Sequence, residues 1–204
     1  TVTKDGYVSG SVASTAITSA DQNFSVTLTA ITPAIDNVTI TETPWTFDGE
    51  THTLVSVVAQ EGDVVTYKLG DGEVSEAVPT ATNAGTYAVT VYVARAGHET
   101  LEKTVSVEVA KANIPVVLTA KAGLVYDGNA QELVTLSGVE DADTITWTVN
   151  EEATGSEDIP VGTAAKTYTV TVSVDRNDSN YNVFSKTVTV EIAKANIEGV
   201  TLEA

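Results

Sequence analysis

The chain has 204 residues, 28 acidic against 10 basic side chains, a formal net charge of −18, and neither cysteine nor methionine. The acidic excess excludes a nucleic-acid binder, because no basic patch exists to release counterions from phosphates. The missing cysteines exclude disulfides, thiolate metal sites and thiol nucleophiles.

No apolar run reaches the length of about 18 residues that a membrane helix needs, so no membrane insertion is expected in this segment. There is no charged-then-apolar leader, and residue 1 is Thr1 rather than a start methionine. The chain therefore reads as an internal slice of a longer protein whose export signal and anchor lie elsewhere.

In chain order, Gly6-Tyr7-Val8 through Val12, then Val26, Leu28 and Ala30 within 24–34, predict two strands. Residues 1–33 thus read as the C-terminal hairpin of a preceding repeat. From there a block of about 80 residues occurs twice, the mark of a tandem array. Phe47-Asp48-Gly49 returns as Tyr126-Asp127-Gly128, and Lys103-Thr104-Val105-Ser106-Val107-Glu108-Val109 as Lys186-Thr187-Val188-Thr189-Val190-Glu191-Ile192. Both copies close on Ala-Lys-Ala-Asn-Ile, at 110–114 and 193–197. The predicted units are repeat 1 at 34–112 and repeat 2 at 113–195, with 196–204 as the first strand of a following repeat.

Inside the repeats, Val89, Val91 and Val93 alternate with Thr90 and Tyr92, and Val170, Val172 and Val174 with Thr171 and Ser173. Val105, Val107 and Val109 do the same, as do Val188, Val190 and Ile192. Period-two alternation of β-branched residues predicts half-buried strands. Turn signals separate them at Asp48-Gly49, Gly70-Asp71-Gly72, Ala96-Gly97, Asp127-Gly128 and Asn177-Asp178. Nowhere does a 3.6-residue period compete. The prediction is all-β: tandem Ig-like β-sandwich domains. The seams carry no Gly/Ser or Pro-rich linker, which predicts a restricted, stiff array.

Asn83-x-Gly85-x-Tyr87-x-Val89 matches a tyrosine corner, and Trp147 falls where an Ig domain keeps its core tryptophan, with Tyr67 as its counterpart. Trp147 and Tyr168 are accordingly expected in the core. The order of the Tyr/Phe-Asp-Gly turn, the Gly-Thr-Tyr-x-Val-x-Val strand and the closing Val-x-Val-x-Lys-Ala segment resembles the MBG-type repeats of bacterial cell-surface proteins and adhesins. Repeat 2 departs from that pattern with Ala165-Lys166 in place of Ala84-Gly85. The resemblance implies an extracellular location at the bacterial surface, a stalk or adhesive role, and no catalytic residues.

Four chemistries bear on these residues. His52 and His98 have no equivalents in repeat 2 and no nucleophile motif accompanies them, so no enzyme is expected. Asp175, Asn177, Asp178 and Asn180 gather oxygens at alternating spacing and are the candidate calcium ligands, with Glu140-Asp141-Ala142-Asp143 as a second acidic turn. Turns are equally rich in Asp and Asn for conformational reasons. Lys111 and Lys194, with Glu108 and Glu191 nearby, are candidates for an isopeptide cross-link, which would need a buried lysine. Among the aromatics Trp45, Phe47, Tyr92, Tyr126 and Tyr181, Trp45 and Tyr92 are particular to repeat 1 and are the candidate ligand-binding pair. The leading expectation is a non-catalytic stalk whose partners are the neighbouring repeats of its own chain. The alternative is a module recognising glycan or a host surface protein through Trp45 and Tyr92.

Overall fold

The computed structural model describes residues 31–197. The predicted hairpin within 1–33 and the strand at 196–204 therefore lie largely outside the described residues. Among those residues all regular structure is strand.

In the first copy the strands are β1 (Thr39–Glu42), β2 (Trp45–Thr46), β3 (His52–Thr53), β4 (Val55–Val58), β5 (Val64–Leu69), β6 (Val74–Ser75), β7 (Thr80–Ala81), β8 (Gly85–Ala94) and β9 (Leu101–Ala110). A short β10 (Ala112–Asn113) follows. The second copy contains β11 (Val117–Ala120), β12 (Leu124–Val125), β13 (Gln131–Glu132), β14 (Val134–Ser137), β15 (Thr144–Val149), β16 (Glu152–Ala153), β17 (Val161–Gly162), β18 (Thr167–Asp175), β19 (Tyr181–Asn182) and β20 (Phe184–Ala193).

Pairing repeats with the sequence. One five-stranded sheet has the order β2-β9-β8-β5-β6 and the other β12-β20-β18-β15-β16. The facing layers are built from β1 with β4 and β3 with β7, and correspondingly from β11 with β14 and β13 with β17. β13 and β14 are halves of one strand interrupted at Leu133, whose N–H donates to Pro160 O and whose carbonyl accepts from Lys121 N. Leu54 does the same with Pro79 O and Thr43 N. This is an Ig-like sandwich: a central strand bonded to its neighbours on both sides, facing a larger sheet over a shared core.

The period-two pattern decides which faces meet. Val89, Val91, Val93, Val170, Val172 and Val174 are fully buried, while the intervening threonines face outward. Each valine removed from water contributes about 1.5 kcal/mol or more. The outward hydroxyls pair across strands, Thr90 with Thr104 and Thr171 with Thr187, both at 2.8 Å. In the second copy Trp147, Leu133, Leu118 and Ile192 fill the centre. The Tyr168 hydroxyl accepts from Ala164 N at 3.1 Å and donates to Ala164 O at 3.0 Å, a tyrosine corner at the second-copy counterpart of Tyr87. The β15–β16 hairpin turns on Asn150 and Glu151, both with positive φ, as a two-residue turn matched to strand twist requires.

By compactness the described residues divide into two units, 31–44 with Thr51–Ala81 and Thr86–Val107, and Trp45–Glu50 with Thr82–Gly85 and 108–197. The second unit thus takes in two short pieces of the first sequence copy, the Phe47-Asp48-Gly49 turn and the Asn83-Ala84 loop.

Candidate functional site

The most elaborate polar arrangement occurs twice. The chain's two arginines, Arg95 and Arg176, each stand one residue beyond a long central strand, after β8 and β18 respectively. Arg95 grips Asp63 with both ends of its guanidinium, Nε to Oδ1 at 2.7 Å and Nη2 to Oδ2 at 2.9 Å. Arg176 holds Asp143 in the same way, at 3.1 and 3.4 Å. Each aspartate opens its strand by closing a turn: Asp63 exchanges bonds with Gln60, and Asp143 with Glu140. A second acid completes each group, Asp36 beside Arg95 at 3.3 Å and Glu140 beside Arg176 at 3.2 Å.

The aspartate side chains are shut away, 1 % exposed at Asp63 and 0 % at Asp143. The guanidinium beside each holds its carboxyl below the ordinary carboxylate value, helped by the backbone N–H of Gln60 or Glu140 against the opposing effect of burial. Both arginines are shifted upward in return, chiefly by those same aspartates. Such a bidentate pair fixes geometry, and removing one partner would strand a buried charge.

Asp127 is a third lowered carboxyl, first through the Asn129 N–H that caps its turn. Because these groups titrate lower folded than unfolded, their stabilising effect is complete above about pH 4, the ordinary value being 3.8. It is lost as pH falls through the folded values. The melting temperature should therefore fall as pH is lowered below about 4, as these carboxylates take up protons. Calorimetry from neutral to acid pH reads this directly. Replacing Asp63 and Asp143 together by Asn should flatten the acid limb, and an unchanged limb would show that the clasps are not its cause.

A signal for these clasps is present in the sequence, the recurrence of Asp63 with Arg95 as Asp143 with Arg176. Local sequence hides it, because Asp143 lies in an acidic turn and Arg176 inside the candidate calcium segment.

The candidate calcium residues are placed as follows. Asp175 Oδ1 accepts the Asn177 N–H and Asp178 Oδ1 the Asn180 N–H, both at 2.9 Å. The Asn177 amide donates to Ala142 O at 2.8 Å and Thr144 Oγ1 at 3.0 Å, from a residue with φ 57. Asn180 is buried and its Oδ1 accepts the Ala84 N–H at 2.7 Å. The segment also presents Arg176, whose guanidinium lies 5.1 Å from the Tyr181 ring. These bonds account for the Asp and Asn residues as turn formers. Among the described residues no group of three His, Cys, Asp or Glu side chains converges as a metal site would require.

Trp45 and Tyr92 are not brought together. Trp45 is opposite Val109 in the parallel β2–β9 pair, so its side chain shares the inward face of that buried valine. Its counterpart Leu124, opposite Ile192, packs on the core. Tyr92 lies between the buried Val91 and Val93 and opposite Thr66, so it is on the outward face of the sheet. A coplanar aromatic platform needs both on one face. The seam lysines Lys111 and Lys194 are exposed, contrary to what an isopeptide bond needs. His98 Nδ1 lies 3.1 Å from Ala96 O in its own turn, and His52 is in β3 opposite Ala81.

No protein-family profile matches the chain, and no curated protein matches it. Among solved structures it is similar to the fibronectin(III)-like modules of CbhA from Clostridium thermocellum, at 15% identity and TM-score 0.29, over 82% of this chain and 100% of that one. It is similar to SGBP-B of the Bacteroides ovatus mixed-linkage glucan utilization locus, solved with a mixed-linkage heptasaccharide, at 14% identity and TM-score 0.29. That match covers 78% of this chain and 48% of the other. Human mucin-like protocadherin EC1-2 follows at 11% identity and TM-score 0.27, over 79% and 100%. At these values none of them carries a function over to this chain.

Proposed function

We propose that this chain is a non-catalytic stalk segment of a large bacterial surface protein, made of MBG-type repeats that hold other domains away from the cell. One observation supports this reading above the others: what recurs between the copies is architecture. The Arg–Asp clasp, the Leu54 and Leu133 backbone bonds, the Asx-capped Asp-Gly turn and the paired threonine hydroxyls appear in both copies. The aromatics and histidines suited to a ligand change freely: Trp45 becomes Leu124 and Tyr92 becomes Ser173. A spacer requires folding and spacing from each copy and nothing more. The excess of negative charge keeps such an array solvated and unaggregated.

The alternative, a module recognising glycan or host protein through Trp45 and Tyr92, loses its simplest form because the two residues occupy opposite faces of one sheet. Titration calorimetry of the whole chain against a panel of neutral oligosaccharides separates the readings. A stalk gives no saturable heat. Saturable binding weakened by Tyr92→Ala, with an unchanged melting temperature, would replace the stalk by a binding module.

A further inference from the structure

Within the second compact unit, the Phe47 turn is occupied. The Phe47 N–H donates to Ala110 O at 2.9 Å, and its ring meets Tyr181 edge-on, with centroids 5.4 Å apart and planes at 82°. Beside it, the buried Asn180 accepts the Ala84 N–H at 2.7 Å and donates to Asn83 Oδ1 at 3.3 Å. The backbone reaches this contact through the seam: Ala112 donates to Asn180 O at 2.9 Å, and Ala112-Asn113 pairs in parallel with Tyr181-Asn182. An Asn-Tyr turn is thus seated on an aromatic-Asp-Gly turn and its neighbouring loop. Edge-on aromatic pairs of this spacing are favourable beyond the area they bury.

The same turn recurs in the second copy with its ring exposed. Tyr126 takes the place of Phe47, with its N–H on Ala193 O at 2.9 Å, and its ring is 45% exposed. Val125 next to it is exposed as well. Ala164-Ala165 stands where Asn83-Ala84 stands, so the backbone donor of Ala84 has a counterpart in Ala165, while the Asn83 acceptor has none. The seam phrase Lys111-Ala112-Asn113-Ile114 is repeated immediately downstream as Lys194-Ala195-Asn196-Ile197.

From this correspondence we infer that the Tyr126-Asp127-Gly128 turn is a docking surface for a further copy of the repeat, which seats its Asn-Tyr turn on the Tyr126 ring. The occupant is a repeat with an Asn180-Tyr181 equivalent, entered through a Lys-Ala-Asn-Ile seam. The Arg95–Thr100 turn of the first copy, lacking that Asn-Tyr pair, would not serve. The inference deepens the stalk reading and rests on it, since it says how successive repeats are joined.

The test appends a second copy of residues 113–195 directly after Ala195, in place of 196–204, which recreates the Lys-Ala-Asn seam. Hydroxyl-radical footprinting with mass spectrometry then reads Tyr126 in both chains. Tyr126 oxidation should fall several-fold in the extended chain, to the level of the corresponding Phe47 peptide in the parent. Equal oxidation in the two chains overturns the proposal. A second readout is thermal: Tyr126→Ala should leave the parent's melting temperature unchanged and lower that of the extended chain by the shift Phe47→Ala causes in the parent. Equal shifts in parent and extended chain also overturn it. Neither readout involves a ligand, so a positive oligosaccharide titration would remove the stalk reading while leaving this result standing, and the reverse holds too.

Discussion

Trp147→Ala lowers the stability of the second sandwich by about 3–5 kcal/mol, the range for removing a large aromatic from a packed core. The indole is 2 % exposed at the centre of the cluster formed by Leu133, Val134, Val170, Val172 and Ile192. Strand β15 holds it there, opposite Val172 on β18. Its Nε1–H is spent on Glu157 O at 3.1 Å, which also ties down the loop after β16. Alanine would lose the buried area, leave a cavity and release that loop. Against a total stability of about 5–15 kcal/mol for a small domain, such a loss is a large fraction. Trp147→Tyr should cost less, about 1–2 kcal/mol, because tyrosine keeps most of the ring volume. The first copy places Tyr67 at this position, buried deeply enough that its phenol is pushed above its ordinary value. Urea unfolding followed by far-UV circular dichroism measures both, since only Trp45 would remain as an indole reporter. A Trp147→Ala loss below about 1 kcal/mol would mean that the indole is not the keystone of this core.

Much of this was readable in advance, for a physical reason. A strand's side chains alternate by local geometry alone, so the valines at 89, 91, 93, 170, 172 and 174 announce both strand and face without knowledge of any partner. Tyr168 was legible as well, because its hydroxyl bonds only four residues upstream. Interactions that join distant segments were not. Asp63 and Arg95 meet only once β5 and β8 are paired, and nothing local to either residue names the other. The orientation of Trp45 is of the same kind. A two-residue strand has no periodicity to read, and its face is set by the parallel pairing with β9. The acidic segment at 175–180 was ambiguous because a turn and an ion site ask for the same residue types. In the structure Asp175 accepts the Asn177 N–H and Asp178 the Asn180 N–H, so both side chains cap turns.

Gly138→Ala should be among the most damaging small substitutions in the chain, costing about 3 kcal/mol or more. Two independent effects add. Gly138 has φ +80, where an L residue with a Cβ is disfavoured by about 1–2 kcal/mol. A Cβ there would also be 2.1 Å from Pro115 O and 2.8 Å from Pro115 C, both backbone atoms that cannot swing aside. Accommodation would require β11 to move off β14, and the register that places Val117 opposite Ser137 begins at this point. The Gly138 carbonyl also accepts from Arg176 Nη2, so the shift would reach the clasp. Gly128→Ala supplies the control. Gly128 has φ +83 with nothing within 4 Å of a built Cβ, so it carries the conformational cost alone, about 1–2 kcal/mol. The difference between the two variants in urea unfolding isolates the collision with Pro115. Equal losses would mean that the edge strand yields without cost, and that the seam into the second copy is looser than its backbone bonds indicate. The first copy has Ala59 at the corresponding position, so the requirement for glycine belongs to the entry into the second copy and not to the repeat as such.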